Sequence, residues 1–429
     1  MRTIERRGLL KGGLGLAAGL SVVSPARKAR AQSPVNLSLT RWGAPAEIDG
    51  YNGLIAKYKE RRPNVTVKFE LVPSSQYYQQ LDTRLAGRQA PDLFRAQYQQ
   101  IGRYAQSGAA IDITPHLDPG FGDGFIPSVW KAVNLGGKVH ALPQHTDTFA
   151  LFYNADILEK LGVEPPRSLD KSWSWAEFMR VAKLVKEKSG LTYPFAMNWQ
   201  FSNAYRWLMY LYQHGGRLLD EALKAPEIDS AAGIETIAWT QSWFTQGLVP
   251  PNTSLKSTEP TQNLFANGTI ALLLNGDWQI PFINEQAKFR WGVTYMPRDV
   301  AMASDLGGNA LAVSRDSKNP EAAIEFLKFL VEEESMRYFV AKAQLLPVRK
   351  SLVTGGVDFA LRPEEMKVFL EQSKTVPEHL VSTVVLPSWG KFNARLADEL
   401  ELAFTSGQAA DVTARNIDKL ARTMLVSPS

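Results

Sequence analysis

From residue 35 to residue 94 the chain reads strand, helix, strand, helix, strand, and that order demands a sheet with helices packed on its faces. Val35 to Leu39 alternates as a strand and ends at Thr40-Arg41-Trp42-Gly43. Residues 47–61 then put Leu54, Ile55 and Tyr58 at helical core spacing, with Pro63 as the stop. Val65 to Phe69 is the next strand, Tyr77 to Gly87 the next helix, and Pro91-Asp92-Leu93-Phe94 opens a third strand. The alternation continues. Lys138–Pro143 and Phe149–Tyr153 are strand-like, and Ser174-Trp175-Ala176-Glu177 is a capping box opening a helix to about Ser189. Thr269–Leu274 is a fully apolar strand followed by the turn Asn275-Gly276-Asp277-Trp278. Asn319-Pro320-Glu321 starts another helix, and amphipathic helices fit 363–373 and 390–405. With close to 400 residues behind the N-terminal segment, one core is too few, so two α/β lobes are expected.

Residues 1–31 stand apart from this pattern. A basic start with Arg6-Arg7 and Lys11 precedes a short Gly/Ala/Leu-rich stretch from Gly12 to Val23, and Ala29-Arg30-Ala31 offers a small-x-small exit. This is the order of a signal peptide, and the paired arginines point to twin-arginine export. The apolar stretch is too short to span a membrane. Gly13-x-Gly15-x-x-Ala18 loosely matches a dinucleotide fingerprint, but no strand precedes it and it lies in the segment expected to be removed.

Removing that segment reverses the charge argument. The whole chain carries 48 Lys+Arg against 43 Asp+Glu, net +5. Residues 1–31 hold seven of the basic residues and one acid, leaving 41 basic and 42 acidic, net −1. Nucleic acid and anionic lipid are therefore poor partners. There is no cysteine, which excludes disulfides, thiol catalysis, zinc–thiolate sites and a lipoprotein anchor. A soluble periplasmic protein without a lipid anchor or membrane insertion is expected.

Enzyme signatures are missing as well. The chain has no Gly-x-Ser-x-Gly, His-Glu-x-x-His or phosphate loop, and its five histidines (116, 140, 145, 214, 379) do not fall at metal spacing. No cofactor or metal is implied. A pair of catalytic carboxylates, as a glycosidase or lyase needs, is not excluded by composition.

Several segments in order resemble the solute-binding proteins of ATP-driven sugar importers, the maltose-binding class. They are Ala90-Pro91-Asp92-Leu93, Tyr104-Ala105-Gln106-Ser107-Gly108, Gly137-Lys138 to Leu142-Pro143, and Phe152-Tyr153-Asn154 with Leu158, Gly162 and Pro165. Ser174-Trp175-x-Glu177-Phe178, Phe265-Ala266-Asn267-Gly268 through Asn275-Gly276-Asp277-Trp278, and Asn319-Pro320-Glu321-Ala322-Ala323 through Phe326-Leu327 continue the series. The resemblance implies a two-lobed periplasmic-binding-protein fold with several interlobe crossovers, a ligand cleft, and hinge closure read by a membrane permease. Lobe one is expected at 35–146 and 306–355, lobe two at 147–305 and 356–429, as a monomer.

A sugar site needs aromatic faces for C–H surfaces and planar or charged groups for hydroxyls. By resemblance, Trp278 is the stacking ring, Asp147 the hydroxyl-binding carboxylate and Tyr205 a further aromatic contact upstream of Gly215-Gly216. The competing readings are a core tryptophan, an exposed loop aspartate and a core aromatic stripe shared with Trp207, Tyr210 and Tyr212. Trp389 lies where the family often places another ring. Trp42, at the tip of the first strand, is a candidate on topology. In Gly307-Gly308-Asn309, Gly308 marks either a close approach to ligand or a crossover turn. Where the family pattern has Asp-Arg, this chain has Gln99-Gln100; Gln97, Gln99 and Gln100 remain hydroxyl-competent, and the change argues for a sugar or polyol other than maltose. Binding of a different solute is the remaining rival: Arg41, Arg95 or Arg206 could serve a sugar phosphate, while Tyr77-Tyr78 is more plausibly half core than a metal-binding pair.

Overall fold

The computed structural model describes residues 33–199 and 204–426, so the expected signal peptide lies outside the described residues. Eleven strands occur among them. In chain order they are β1 (Val35–Arg41), β2 (Val65–Leu71), β3 (Leu93–Gln97), β4 (Asn134–Leu135), β5 (Lys138–Val139), β6 (Leu142–His145), β7 (Phe149–Asn154), β8 (Phe195–Met197), β9 (Leu272–Gly276), β10 (Trp291–Thr294) and β11 (Asn309–Val313). They form a five-stranded sheet in the order β2-β1-β3-β11-β6, a four-stranded sheet in the order β10-β7-β9-β8, and the hairpin β4-β5.

The first sheet follows from the strand–helix–strand pattern. β1 runs parallel to both β2 and β3, with Leu39 opposite Phe69 and Leu93; its Leu37 and Leu39 are buried, and the helix Pro45–Arg61 packs on β2. That helix packs in turn against Glu333–Ala343, which the sequence pattern had not marked. β11 enters antiparallel between β3 and β6. In the second sheet, β7 and β9 are flanked on both sides and almost wholly buried, which is why their sequences are continuous apolar runs.

Some local expectations need adjustment. The run Lys138–Pro143 is two strands: β5 turns back on β4 through Gly136 and Gly137, both at positive φ, and only β6 joins the main sheet. The strand predicted from Thr269 begins at Leu272. Ser174 caps its helix through Glu177 N–H at 3.1 Å, but the Glu177 carboxylate turns to Arg180 at 2.7 and 2.9 Å, so half the capping box forms. Asn319 sits at the N-cap without a side-chain cap bond.

The chain changes sheet between β6 and β7 through Thr146-Asp147-Thr148, and again between β10 and β11. After β11, the helix Pro320–Leu330 returns to the first sheet, whereas Pro363–Ser373 packs on β7 and β10 of the second. The long helix Trp389–Ser406 touches both Tyr98–Gln106 and Ala231–Thr245, and so braces the two halves. No helix among the described residues is long and apolar enough to cross a membrane.

Candidate functional site

The strand ends of both sheets open onto one cavity of about 1000 Å3. Trp42 follows β1, Gln97 ends β3, His145 ends β6 and Asn309 begins β11, while Asn198 and Trp278 follow β8 and β9. Asp147, on the first crossing, lies where the two groups meet. This is the crevice beyond the carboxyl ends of strands at which open α/β sheets bind ligands.

One wall is organised by a buried carboxylate. Glu47, in the first turn of its helix, is paired with Arg41 and, at 2.7 Å, with Arg95. Burial opposes ionisation of Glu47, but the two guanidiniums outweigh it and hold the carboxyl at about 2. Arg95 also lies 4.2 Å over the Trp42 ring and donates to the Trp42 carbonyl at 2.7 Å. Each guanidinium is thus used in presenting Trp42. The Tyr77-Tyr78 pair divides as its helical phase requires. Tyr77 is buried and donates to the Arg95 carbonyl at 2.7 Å, while Tyr78 lines the cavity and accepts from Gln97 N–H at 3.0 Å.

The opposite wall carries Trp278. Its ring lies over Gly276, where an added Cβ would fall 1.7 Å from Cζ3, so only glycine leaves room for this indole. Arg206 sits 5.2 Å from the same ring and 4.6 Å over Phe149, with its Nε 3.5 Å from the Asp305 carboxylate. Asp305 accepts from Phe149 N–H at 3.2 Å and Asp277 from Thr148 N–H at 3.1 Å, which ties the crossing segment to the Trp278 turn.

Asp147 has no such partners. Among the described residues no hydrogen bond reaches its carboxylate, and the nearest basic nitrogen is His145 Nε2 at 4.0 Å. Burial holds His145 well below the usual imidazole range, so it stays neutral. Burial, reinforced by Asp305, pushes Asp147 up to about 7. Asp277 is raised too, by burial and by Asp147. The crossing fits around this side chain because Gly307 lacks a Cβ, which would meet Asp147 Oδ1 at 1.8 Å.

Trp42, Gln97, Asp147 and Trp278 therefore meet in one cavity. Four other candidates do not reach it. Trp389 is buried against Phe392 at the start of its helix. Tyr205 is buried beside Arg206. Gln99 points away from the opening and donates to the Leu306 carbonyl. Gly308, at φ +97°, makes its close approach to the chain's own His145 and Thr146 backbone. Glu47, His145, Asn198 and Gln279 were missed. Only Glu47 had a usable signal, an acid in the first turn of a helix that follows a strand-end arginine.

The family model of bacterial extracellular solute-binding proteins matches residues 44–337. A putative binding protein of Brucella abortus is 24% identical over 384 residues, covering 87% of this chain and 89% of its own. The maltodextrin-binding protein of Bacillus subtilis is 25% identical over 325 residues, 71% of this chain and 75% of its own. Among solved structures, the GacH receptor of Streptomyces glaucescens, determined unliganded and with acarbose, has a TM-score of 0.80 at 26% identity, covering 92% of this chain and 100% of that one. A substrate-binding protein of Listeria monocytogenes in complex with cycloalternan has a TM-score of 0.78 at 21% identity, covering 91% and 99%. The fold is shared with these solved structures over nine-tenths of the chain, the family model spans residues 44–337, and the chain belongs to the bacterial extracellular solute-binding protein family.

Proposed function

We propose that this protein captures an oligosaccharide or related polyol in the crevice and delivers it to the permease of an ATP-driven importer. One observation carries the reading: Trp42, Tyr78 and Trp278 line a single cavity whose two lining arginines, Arg95 and Arg206, already face carboxylates. Aromatic rings suit the C–H faces of a sugar, and Gln97, Asn198, Asn309 and Asp147 are within the same cavity for its hydroxyls. A sugar phosphate would need a free guanidinium or lysine; among the described residues no lysine lines the cavity, and its arginines Arg95 and Arg206 are committed to Glu47 and Asp305. The volume, about 1000 Å3, is at the top of the range for small-molecule sites, which favours more than one sugar ring. The relatives named for maltodextrin, acarbose and cycloalternan point to the same ligand class.

We take residues 35–146 with 306–355 as one lobe and 147–305 with 356–429 as the other, closing about the crossings. Export by residues 1–31 through the twin-arginine route, release into the periplasm, a monomeric state and the absence of catalysis complete the reading. Calorimetry of the mature protein against neutral oligosaccharides, polyols and sugar phosphates tests it. Micromolar or tighter binding of a neutral sugar supports it; binding confined to the phosphates, or cleavage of a labelled oligosaccharide, overturns it. Exchanging Arg6-Arg7 for Lys-Lys should block export, and undiminished export removes the twin-arginine route alone.

A further inference from the structure

The ionic groups around the crevice do not balance. Glu47 has two guanidiniums to itself, and Asp305 has Arg206. That leaves Asp147 and Asp277 without a basic partner within ion-pair distance, His145 being neutral. Asp277 is fully buried, with one oxygen on Thr148 N–H and the other lacking any partner. Asp147 is different: its side chain is 12% exposed, and that exposure is toward the cavity it lines. Of these two acids, Asp147 is the one that lines the cavity, so its missing counter-charge is missing where a ligand can reach it.

Resting on the sugar reading above, we propose that the crevice selects a carbohydrate bearing a basic nitrogen, whose ammonium group pairs with Asp147 beside the Trp278 face. The surroundings favour this over a neutral ligand. Asp277 and Asp305 lie close enough to repel a second negative charge, and Glu47 adds to them, while only Arg95 and Arg206 oppose them from the two walls. Tyr98 and Tyr205, the other titratable groups within reach, are neutral phenols held far from ionisation by burial. A hydroxyl can donate a hydrogen bond to Asp147, but it brings no charge. An ammonium brings both, and a bond to a charged group contributes more than a neutral one. Trp278 then supplies a π-face for the cation.

Two matched pairs test this on the whole mature protein by calorimetry at pH 7: D-glucosamine against D-glucose, and 1-deoxynojirimycin against 1,5-anhydro-D-glucitol. Within each pair, the member with nitrogen should bind at least tenfold more tightly. Asp147→Asn should bring the two members within about threefold of each other, and lowering the pH to 5 should narrow the wild-type preference because Asp147 then takes up a proton. The pH arm needs no variant, so a poorly folding Asp147→Asn chain would not leave the question open. Equal binding within both pairs, or no binding of either amine at millimolar concentration, overturns the proposal. If a neutral oligosaccharide still binds, the sugar reading survives that failure; if no sugar of any kind binds, both fail.

Discussion

The six-membered edge of the Trp278 indole rests directly on the α-carbon of Gly276, two residues earlier in the same turn. Gly276 has φ −95°, an ordinary value, so its small size and not its backbone freedom is what the turn uses. Gly276→Ala should displace the ring and weaken ligand binding about as much as Trp278→Ala, by roughly 2–4 kcal/mol, as for a buried aromatic anchor. The double variant should be no worse than the worse single one. Calorimetry on the three variants decides, and additive losses would mean the two residues act independently.

Trp278 and Trp389 should answer truncation in opposite ways. Trp389 is 1% exposed and packed on Phe392, so Trp389→Ala should lower ligand-free stability by about 3–5 kcal/mol. Trp278 is only partly buried at the cavity, so its removal should weaken binding while changing urea unfolding far less. Trp278→Phe should recover part of the affinity.

Asp147 makes ligand-free stability depend on pH with a definite sign. Its folded value of about 7 exceeds the ordinary 3.8, so the native chain holds more protons than the unfolded one between these limits. Stability from this group falls as pH rises through that window and levels above it. Asp147→Asn should therefore flatten the profile and raise stability at pH 8, by at most roughly 4 kcal/mol for three pKa units. Thermal melts from pH 4 to pH 8 report it; a variant less stable at pH 8 than the wild type contradicts the assignment.

Glu47 works in the reverse direction. Its folded value of about 2 lies below the ordinary 4.5, so its contribution is complete above 4.5 and is lost as pH falls toward 2. Glu47→Gln leaves Arg41 and Arg95 buried with too little counter-charge and should destabilise the protein by about 3–5 kcal/mol at neutral pH. Because Arg95 also carries Trp42, ligand affinity should drop along with stability. Affinity unchanged in a folded Glu47→Gln variant would detach Trp42 from this cluster.

What the sequence settled is what short-range physics controls. Alternation gave β1 and β2, an unbroken apolar run gave β7, and helical spacing with capping residues gave Pro45–Arg61, Trp175–Lys188 and Pro320–Leu330, because the pattern of burial is written into neighbouring residues. The turn after β9 placed Trp278 at a strand end, and the offset of about 100° between consecutive helix residues was enough to send Tyr77 inward when Tyr78 went to the cavity. Tertiary structure decided the rest. Gln97 ends a strand and faces the opening, whereas Gln99, two residues on, has entered a helix and turns to Leu306; nothing local distinguishes the two amides. Glu47 meets Arg95 across 48 residues, and Asp147 becomes a buried, unpaired acid only because Gly307, Asp277 and Asp305 arrive from far along the chain. Pairings over such distances are selected by the packing of whole sheets, and no window of sequence contains them.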